Sequence, residues 1–343
     1  MKILFAIQGT GNGHISRARE IIPHLLKHGE LDLLVSGTQA DVNLPYLIKY
    51  KKRGLSFTFG TRGGIDMVDS IKRMRPFHYL RDIAALPVHD YDVVINDFEP
   101  ISAWACFLKR KPCISLSHQA SFLSAHTPRP EKMNAFGEWA LKKYIPVSSA
   151  IGFHFEAYDK FIHTPVIRSE IRKLNPTTQN HITVYLPAYE DAILLEHLLK
   201  VKDVEWEVFS KHTHQEYKQK NVKISPIENE HYTQSVASSS GLVTGGGFES
   251  PAEAMFLGKK VLSVPMANQY EQLCNAAAMK KMGVTVSGAI NENFSSTLQN
   301  WLNNSKPLDV HFPDETAKVV ERVFTMHANS LPDPEWENNL GFC

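Results

Sequence analysis

The stretch TGGGFESPAEAMFLGKKVLSVPMANQYEQLCNA, Thr244–Ala276, decides how the rest of the chain is read. An apolar run, Leu242–Thr244, feeds three successive glycines, Gly245, Gly246 and Gly247. A helix is expected to begin at Ser250-Pro251, with a hydroxyl at a cap position and proline in the first turn. Glycines let the backbone come close to a ligand. The unpaired N–H groups and the dipole at a helix N-terminus favour an anion. The pattern is one for phosphate held by backbone. Glu253, one turn into that helix, is spaced to accept hydrogen bonds from a pair of ribose hydroxyls. Pro265 ends the next apolar run, Val261–Val264, and Glu271-Gln272 follow as polar groups for sugar hydroxyls.

The N-terminus repeats this grammar. A strand is expected at Ile3–Ile7, then the loop GTGNGH, Gly9–His14, then a helix over Ile15–Lys27 with Ile15, Ala18, Ile21, Ile22, Leu25 and Leu26 on one face. The glycine spacing is not GxGxxG, and Ser36-Gly37-Thr38 stands where a ribose-binding acid would end the second strand. No GK[ST] follows the loop, so it is not a P-loop. A nicotinamide enzyme is therefore disfavoured. His14, at the mouth of a parallel sheet, is either a general base or a polar loop and cap residue. Further strands are expected near Leu31–Val35, Leu55–Phe59, Val93–Ile95, Ile114–Leu116 and Ile151–Phe155. A second series follows at Ile182–Leu186, Glu205–Phe209, Val222–Ile224, Leu242–Thr244, Val261–Val264 and Val284–Val286. Strand–helix alternation occurring twice predicts two α/β units with parallel sheets. The boundaries read as 1–163, a linker at 164–180, 181–312, a helix at 313–329 and a tail at 330–343.

The 343 residues are 43% hydrophobic and 21% charged, ordinary globular composition for two domains. The net charge of +1 argues against a nucleic-acid binder. It conceals an asymmetry: residues 1–160 hold 21 basic and 15 acidic side chains, and residues 161–343 hold 16 and 21. Nine basic residues fall in Lys49–Arg81, against Asp66 and Asp69, interleaved with Ile65, Met67, Val68, Ile71 and Met74. That segment is either a solvated face or a surface for an anionic acceptor or membrane. No run approaches the roughly 18 apolar residues of a membrane span. The opening MKILFAIQG is too short for a signal h-region. Cys106, Cys113, Cys274 and Cys343 lack disulfide or zinc spacing. The expected compartment is the cytoplasm, with the inner membrane face open for peripheral contact.

The Thr244–Ala276 stretch resembles the nucleotide-sugar motif of GT-B glycosyltransferases, of the UDP-glycosyltransferase and lipid-linked N-acetylglucosaminyltransferase type. The resemblance is carried by Gly247, Ser250, Glu253, Leu257-Gly258, Val264-Pro265, Glu271-Gln272 and Asn275-Ala276. GTGNGH resembles that family's first glycine loop. VVINDFEP, Val93–Pro100, and SLSHQ, Ser115–Gln119, resemble its next strand ends. The resemblance implies an α/β fold with two Rossmann-like domains whose parallel sheets face across a cleft. The first domain would take the acceptor and the second the donor, with the C-terminal helix crossing back to the first. It implies His14 as base and Asp97 as its partner, although Asp97 could instead cap a helix. Gly246 and Gly247 would approach the diphosphate, Glu253 would hold the ribose and Glu271 and Gln272 the donor sugar, with Phe248 and Ser250 also in the donor site. Gly11, Gly13 and His118 would be acceptor-side or loop residues, His118 also being a candidate second base. Two departures stand out. Gly245 replaces a histidine that touches phosphate in plant-type members, and Phe248 replaces a tryptophan.

The expected chemistry is inverting sugar transfer from a UDP-hexose or UDP-N-acetylhexosamine to an acceptor hydroxyl. The nucleotide-sugar is a substrate, no cofactor is needed, and no metal is required. Asp90-Tyr91-Asp92 has the letters of a metal-binding DxD but precedes a strand and reads as a turn. The acceptor is unidentified, with lipid-linked and anionic compounds among the candidates, and no nucleic acid is expected. A UDP-sugar 2-epimerase of the same architecture and a non-catalytic nucleotide-sugar binder are the alternatives.

Overall fold

A computed structural model describes residues 1–37, 44–53 and 76–329. Ile3 to Ile7 are fully buried, as the central strand of a parallel sheet covered on both faces must be. Ile3, Phe5 and Ile7 join one core cluster with Ile15, Ala18 and Ile22 of the helix Asn12–Leu25. Leu4 and Ala6, on the other face, join Ile101 and Ala105 of the helix Pro100–Leu108. Among the described residues, the first unit has seven strands: β1 (Lys2–Gln8), β2 (Glu30–Ser36), β3 (Ile48–Lys52), β4 (Val93–Asp97), β5 (Ile114–Ser117), β6 (Ser149–Phe153) and β7 (Ile162–His163). Their spatial order is β3-β2-β1-β4-β5-β6-β7, parallel throughout.

The second unit holds β8 (His181–Tyr185), β9 (Glu205–Ser210), β10 (Tyr217–Gln219), β11 (Val222–Pro226), β12 (Gly241–Gly245), β13 (Lys260–Val264) and β14 (Thr285–Val286). The order is β10-β11-β9-β8-β12-β13-β14, with only the β10–β11 edge pair antiparallel. In each sheet the first strand is central and the chain turns from one side of it to the other. The switch points therefore lie between β1 and β4 and between β8 and β12. Open α/β sheets bind ligands at the carboxyl ends of such strands. Gly9–His14 follows β1 and Asp97 ends β4; Leu186 follows β8 and Gly245 ends β12.

Several elements differ from the sequence expectation. The strand expected at Leu55–Phe59 lies outside the described residues, as do most of the basic segment and the tail 330–343. The third strand is instead Ile48–Lys52, an edge strand whose Lys49 and Lys51 are exposed. The first helix starts at Asn12, so Gly13 and His14 are its first turn. The helix expected at 313–329 starts at Thr316, and Asp314 Oδ1 accepts from the Thr316 N–H at 3.2 Å. That last helix, Thr316–Asn329, follows the second sheet yet packs on the helix Asn12–Leu25 and on β6. Val319, Val320 and Val323 are buried there, and Phe324 stacks on His28 with ring centroids 3.9 Å apart. Cys106, Cys113 and Cys274 are buried free thiols. Among the described residues, no helix is long and apolar enough to cross a membrane.

Candidate active site

The two switch points meet across a cleft. On the first side, Phe98 takes a left-handed φ of 57°, and Glu99 accepts from the N–H groups of Ile101 at 2.8 Å and Ser102 at 2.6 Å. Glu99 is thus the cap of the helix Pro100–Leu108, and Asp97 is released from that role. Fully buried, Asp97 pairs through Oδ1 with His14 Nδ1 at 2.9 Å. Arg17 Nη2 also lies 3.1 Å from this Nδ1; the tautomer in which Nδ1–H donates to the carboxylate leaves Nε2 a lone pair for a substrate hydroxyl. Gln119 Nε2 lies 3.4 Å from His14 Nε2 and donates to Glu271 Oε2 at 3.1 Å.

Arg17, one helical turn after His14, was not foreseen from the sequence. It is 2% exposed. Its Nη2 donates to Asp97 Oδ1 at 2.7 Å and Oδ2 at 2.9 Å, and Nη1 donates to Glu249 across the cleft. Burial opposes the charged Asp97 carboxylate, but Arg17 and His14 outweigh burial and hold its pKa below the ordinary value. Burial likewise opposes the Arg17 charge, and Asp97 and Glu249 overcome it.

On the second side, the helix Glu249–Phe256 starts one residue earlier than expected, and Ser250 sits inside its first turn rather than at its cap. Phe248 stands at the cap position. Its ring stacks on His118 at 3.9 Å and 7°, and contacts Phe155 and His154. Phe248 is 3% exposed, and its side chain is wedged between the two units. Gly246 is braced: its N–H donates to Gln272 Oε1 at 3.1 Å and its carbonyl accepts from Asn275 Nδ2 at 3.1 Å. Gln272 Oε1 also accepts from the Met266 N–H at 3.0 Å. Gly247 is different, with no atom within 4 Å of where a Cβ would stand. Gly247, Ser250 and Gln272 line a crevice of 130 Å³ with Leu186, Pro187 and Tyr189, a loop the sequence reading had not singled out.

Two of the expected site residues are engaged by partners within the protein. His118 is fully buried, with Nδ1 bound to the Phe153 carbonyl at 2.8 Å and Nε2 to Asn275 Oδ1 at 2.9 Å. Burial pushes its pKa down to about 3. With both nitrogens engaged, it joins the two units and offers no free nitrogen to an acceptor. Glu253 does not face the crevice: Arg168 Nε and Nη2 reach its two oxygens at 2.6 and 2.7 Å. Burial raises the Glu253 pKa, and Arg168 opposes that rise. Gly11 has a left-handed φ of 103° and open space around it, while a Cβ on Gly13 would collide with the Glu249 carboxylate. Glu271, half-buried, sits between Gln119 and the cleft, its pKa raised by burial. Asp92 accepts from the Lys2 N–H at 2.7 Å at the start of β4, the end of the strand remote from Asp97. Asp90-Tyr91-Asp92 is therefore no part of this site.

The family model for glycosyl transferase family 1 matches residues 1–304. A search of curated protein sequences returns no match. Among solved structures, the chain resembles the glycotransferase of kitacinnamycin, with a TM-score of 0.58, 14% identity, and coverage of 99% of this chain and 96% of that one. It resembles Arabidopsis thaliana UGT89C1 complexed with UDP at 0.56 and 15%, covering 98% and 97%. It also resembles Acinetobacter baumannii MurG at 0.53 and 13%, covering 96% and 98%. These likenesses extend over both units and identify the paired sheets as the GT-B arrangement. With the family match spanning both sheets, the chain belongs to glycosyl transferase family 1 and is a glycosyltransferase of the GT-B fold.

Proposed function

We propose that the enzyme transfers a sugar, with inversion and without a metal ion, from a UDP-hexose or UDP-N-acetylhexosamine to an acceptor hydroxyl. The observation that carries this reading is the His14–Asp97 pair at one switch point, opposite Gly247 and the helix N-terminus at Glu249 at the other. The nucleoside enters the crevice between β8 and β12, and the diphosphate lies along Gly247 and Ser250. His14 Nε2 takes the acceptor proton as the hydroxyl oxygen attacks the anomeric carbon. The bond to the diphosphate breaks on the opposite face, and the helix N-terminus stabilises the charge that develops there. Asp97 stabilises the imidazolium that forms, as the acid of a His–Asp pair does. Gln119 must yield to let the acceptor reach Nε2, and Glu271 beside it is available for the donor sugar. No cofactor enters the scheme.

Ribose contact by Glu253 requires exchange with Arg168, so backbone and Ser250 contacts carry more of the donor binding than the motif implies. The basic segment Lys49–Arg81 is assigned to an anionic acceptor or to the inner membrane face. The test is to incubate the protein with UDP-sugars and an acceptor panel, following UDP release and the anomeric configuration of the product. Acceptor-dependent release with an inverted product is expected. Epimerised sugar formed without any acceptor would replace the transferase reading with the 2-epimerase, and absence of nucleotide binding would remove the donor site.

A further inference from the structure

Arg17 and Glu249 form an ion pair that neither glycine motif explains. Arg17 stands on the first turns of one helix, Glu249 at the first residue of another, and the two N-termini face each other across the cleft. Helix N-termini attract anions, and the Glu249 carboxylate lies beside the first turn of the facing helix at Gly13. It rests against Gly13 so closely that a Cβ there would collide with it. Immediately after it comes Ser250, on the wall of the donor crevice. An anion thus already occupies the space between the two glycine loops, and the anion is a side chain. The guanidinium that holds it is enclosed, and its Nε has no partner.

We propose that Arg17 is the cation of the donor diphosphate site and that Glu249 holds its place while the site is empty. The proposal rests on the donor reading given above. Of the two carboxylates on Arg17, exposure decides which one yields. Asp97 is wholly buried and bound to His14, whereas the Glu249 side chain is 25% exposed and has solvent to turn into. A diphosphate entering along Gly247 replaces one anion with another on Nη1. The exchange leaves Nη2 on Asp97, so the base keeps its geometry. Guanidinium is suited to this exchange because its planar fork holds two anions on separate nitrogens. Arg17 also supplies, from the first unit, the side-chain contact to phosphate that is missing at Gly245. Because the bond crosses between the units, diphosphate binding ties the acceptor side to the donor side.

The test compares UDP and uridine by calorimetry on the wild-type protein, Arg17→Gln and Glu249→Gln. Hydrogen bonds to charged groups are worth about 10- to 100-fold in affinity. Arg17→Gln should lose about that factor for UDP while binding uridine within about 2-fold of the wild type. Glu249→Gln leaves Arg17 on Asp97 and should bind UDP several-fold more tightly, with uridine unchanged. A wild type that binds UDP while Arg17→Gln binds it equally well overturns the assignment. If Arg17→Gln does not fold, Glu249→Gln decides: unchanged or weaker UDP binding overturns the place-holder. A wild type that binds neither compound removes the donor reading itself, which separates the two failures.

Discussion

His14 and Asp97 are 83 residues apart in sequence and share one hydrogen bond because β1 and β4 are neighbours. A positioned general base contributes about 10²–10⁴-fold to rate. His14→Ala should therefore lose about that factor in turnover while UDP affinity by calorimetry stays near the wild-type value; full turnover in this variant would remove His14 as base. Asp97 carries a second burden, since it neutralises a buried arginine. Asp97→Asn leaves Arg17 with the partly exposed Glu249 as its remaining counter-charge, and removing one partner of a buried ion pair costs up to about 3–5 kcal/mol. Chemical denaturation of the two proteins at neutral pH measures that loss. The linked pH dependence has a definite sign. The folded Asp97 pKa lies below its ordinary 3.8, so its contribution is complete above 3.8 and is lost as pH falls through the lower folded value. Stability measured downward from pH 5 should fall more steeply for the wild type than for Asp97→Asn. Parallel curves would show that the carboxylate is not held by charge.

At the scale of elements, the two glycines ending in the second helix are not equivalent, although the motif treats them alike. A Cβ on Gly246 would stand 2.8 Å from the Gln272 Cβ and carbonyl and 2.9 Å from the Pro265 ring, so backbone would have to shift. Gly247 faces open space. Gly246→Ala should lower the melting temperature and nucleotide binding together. Gly247→Ala should melt like the wild type yet bind UDP more weakly, because its methyl group enters the diphosphate's space. Equal melting of both variants would remove this distinction. The contrast also marks what sequence can convey. Strands buried on both faces, such as Ile3–Ile7, read plainly as continuous apolar runs, and the glycine-to-helix turns mark the switch points. The edge strand IKYKK, Ile48–Lys52, does not, because its sequence records solvent on one face. Arg17 was missed because one arginine on an amphipathic helix is indistinguishable from a solvated one until Asp97 and Glu249 are brought to it. The pairing of Glu253 with Arg168 was equally illegible, the arginine lying 85 residues earlier.

Taken whole, the molecule separates charge as well as function, with the basic excess in the unit that holds His14 and the acidic excess in the unit that holds the crevice. The basic count overstates what a partner would meet. Lys49 pairs with Asp32 and Lys52 with Asp82, so part of the excess is neutralised locally. Beside these, the helix Pro76–Ala85 presents Phe77, 85% exposed, and Leu80, 59% exposed, next to Arg81. Apolar side chains flanked by cations suit an anionic lipid surface, where each basic residue is worth about 1 kcal/mol. The membrane assignment predicts that the full-length protein sediments with phosphatidylglycerol vesicles more than with phosphatidylcholine vesicles. Raising salt from 0.1 to 1 M shortens the Debye length from about 10 to about 3 Å and should release most of it. Lys51→Glu with Arg81→Glu should weaken the anionic-vesicle binding by about 10-fold or more, since two attractions become repulsions. Phe77→Ser should weaken binding at both salt concentrations, because the burial of its ring does not depend on charge. Equal sedimentation with both lipids, insensitive to salt, would return the segment to a solvated face and leave an anionic acceptor as the remaining use for it.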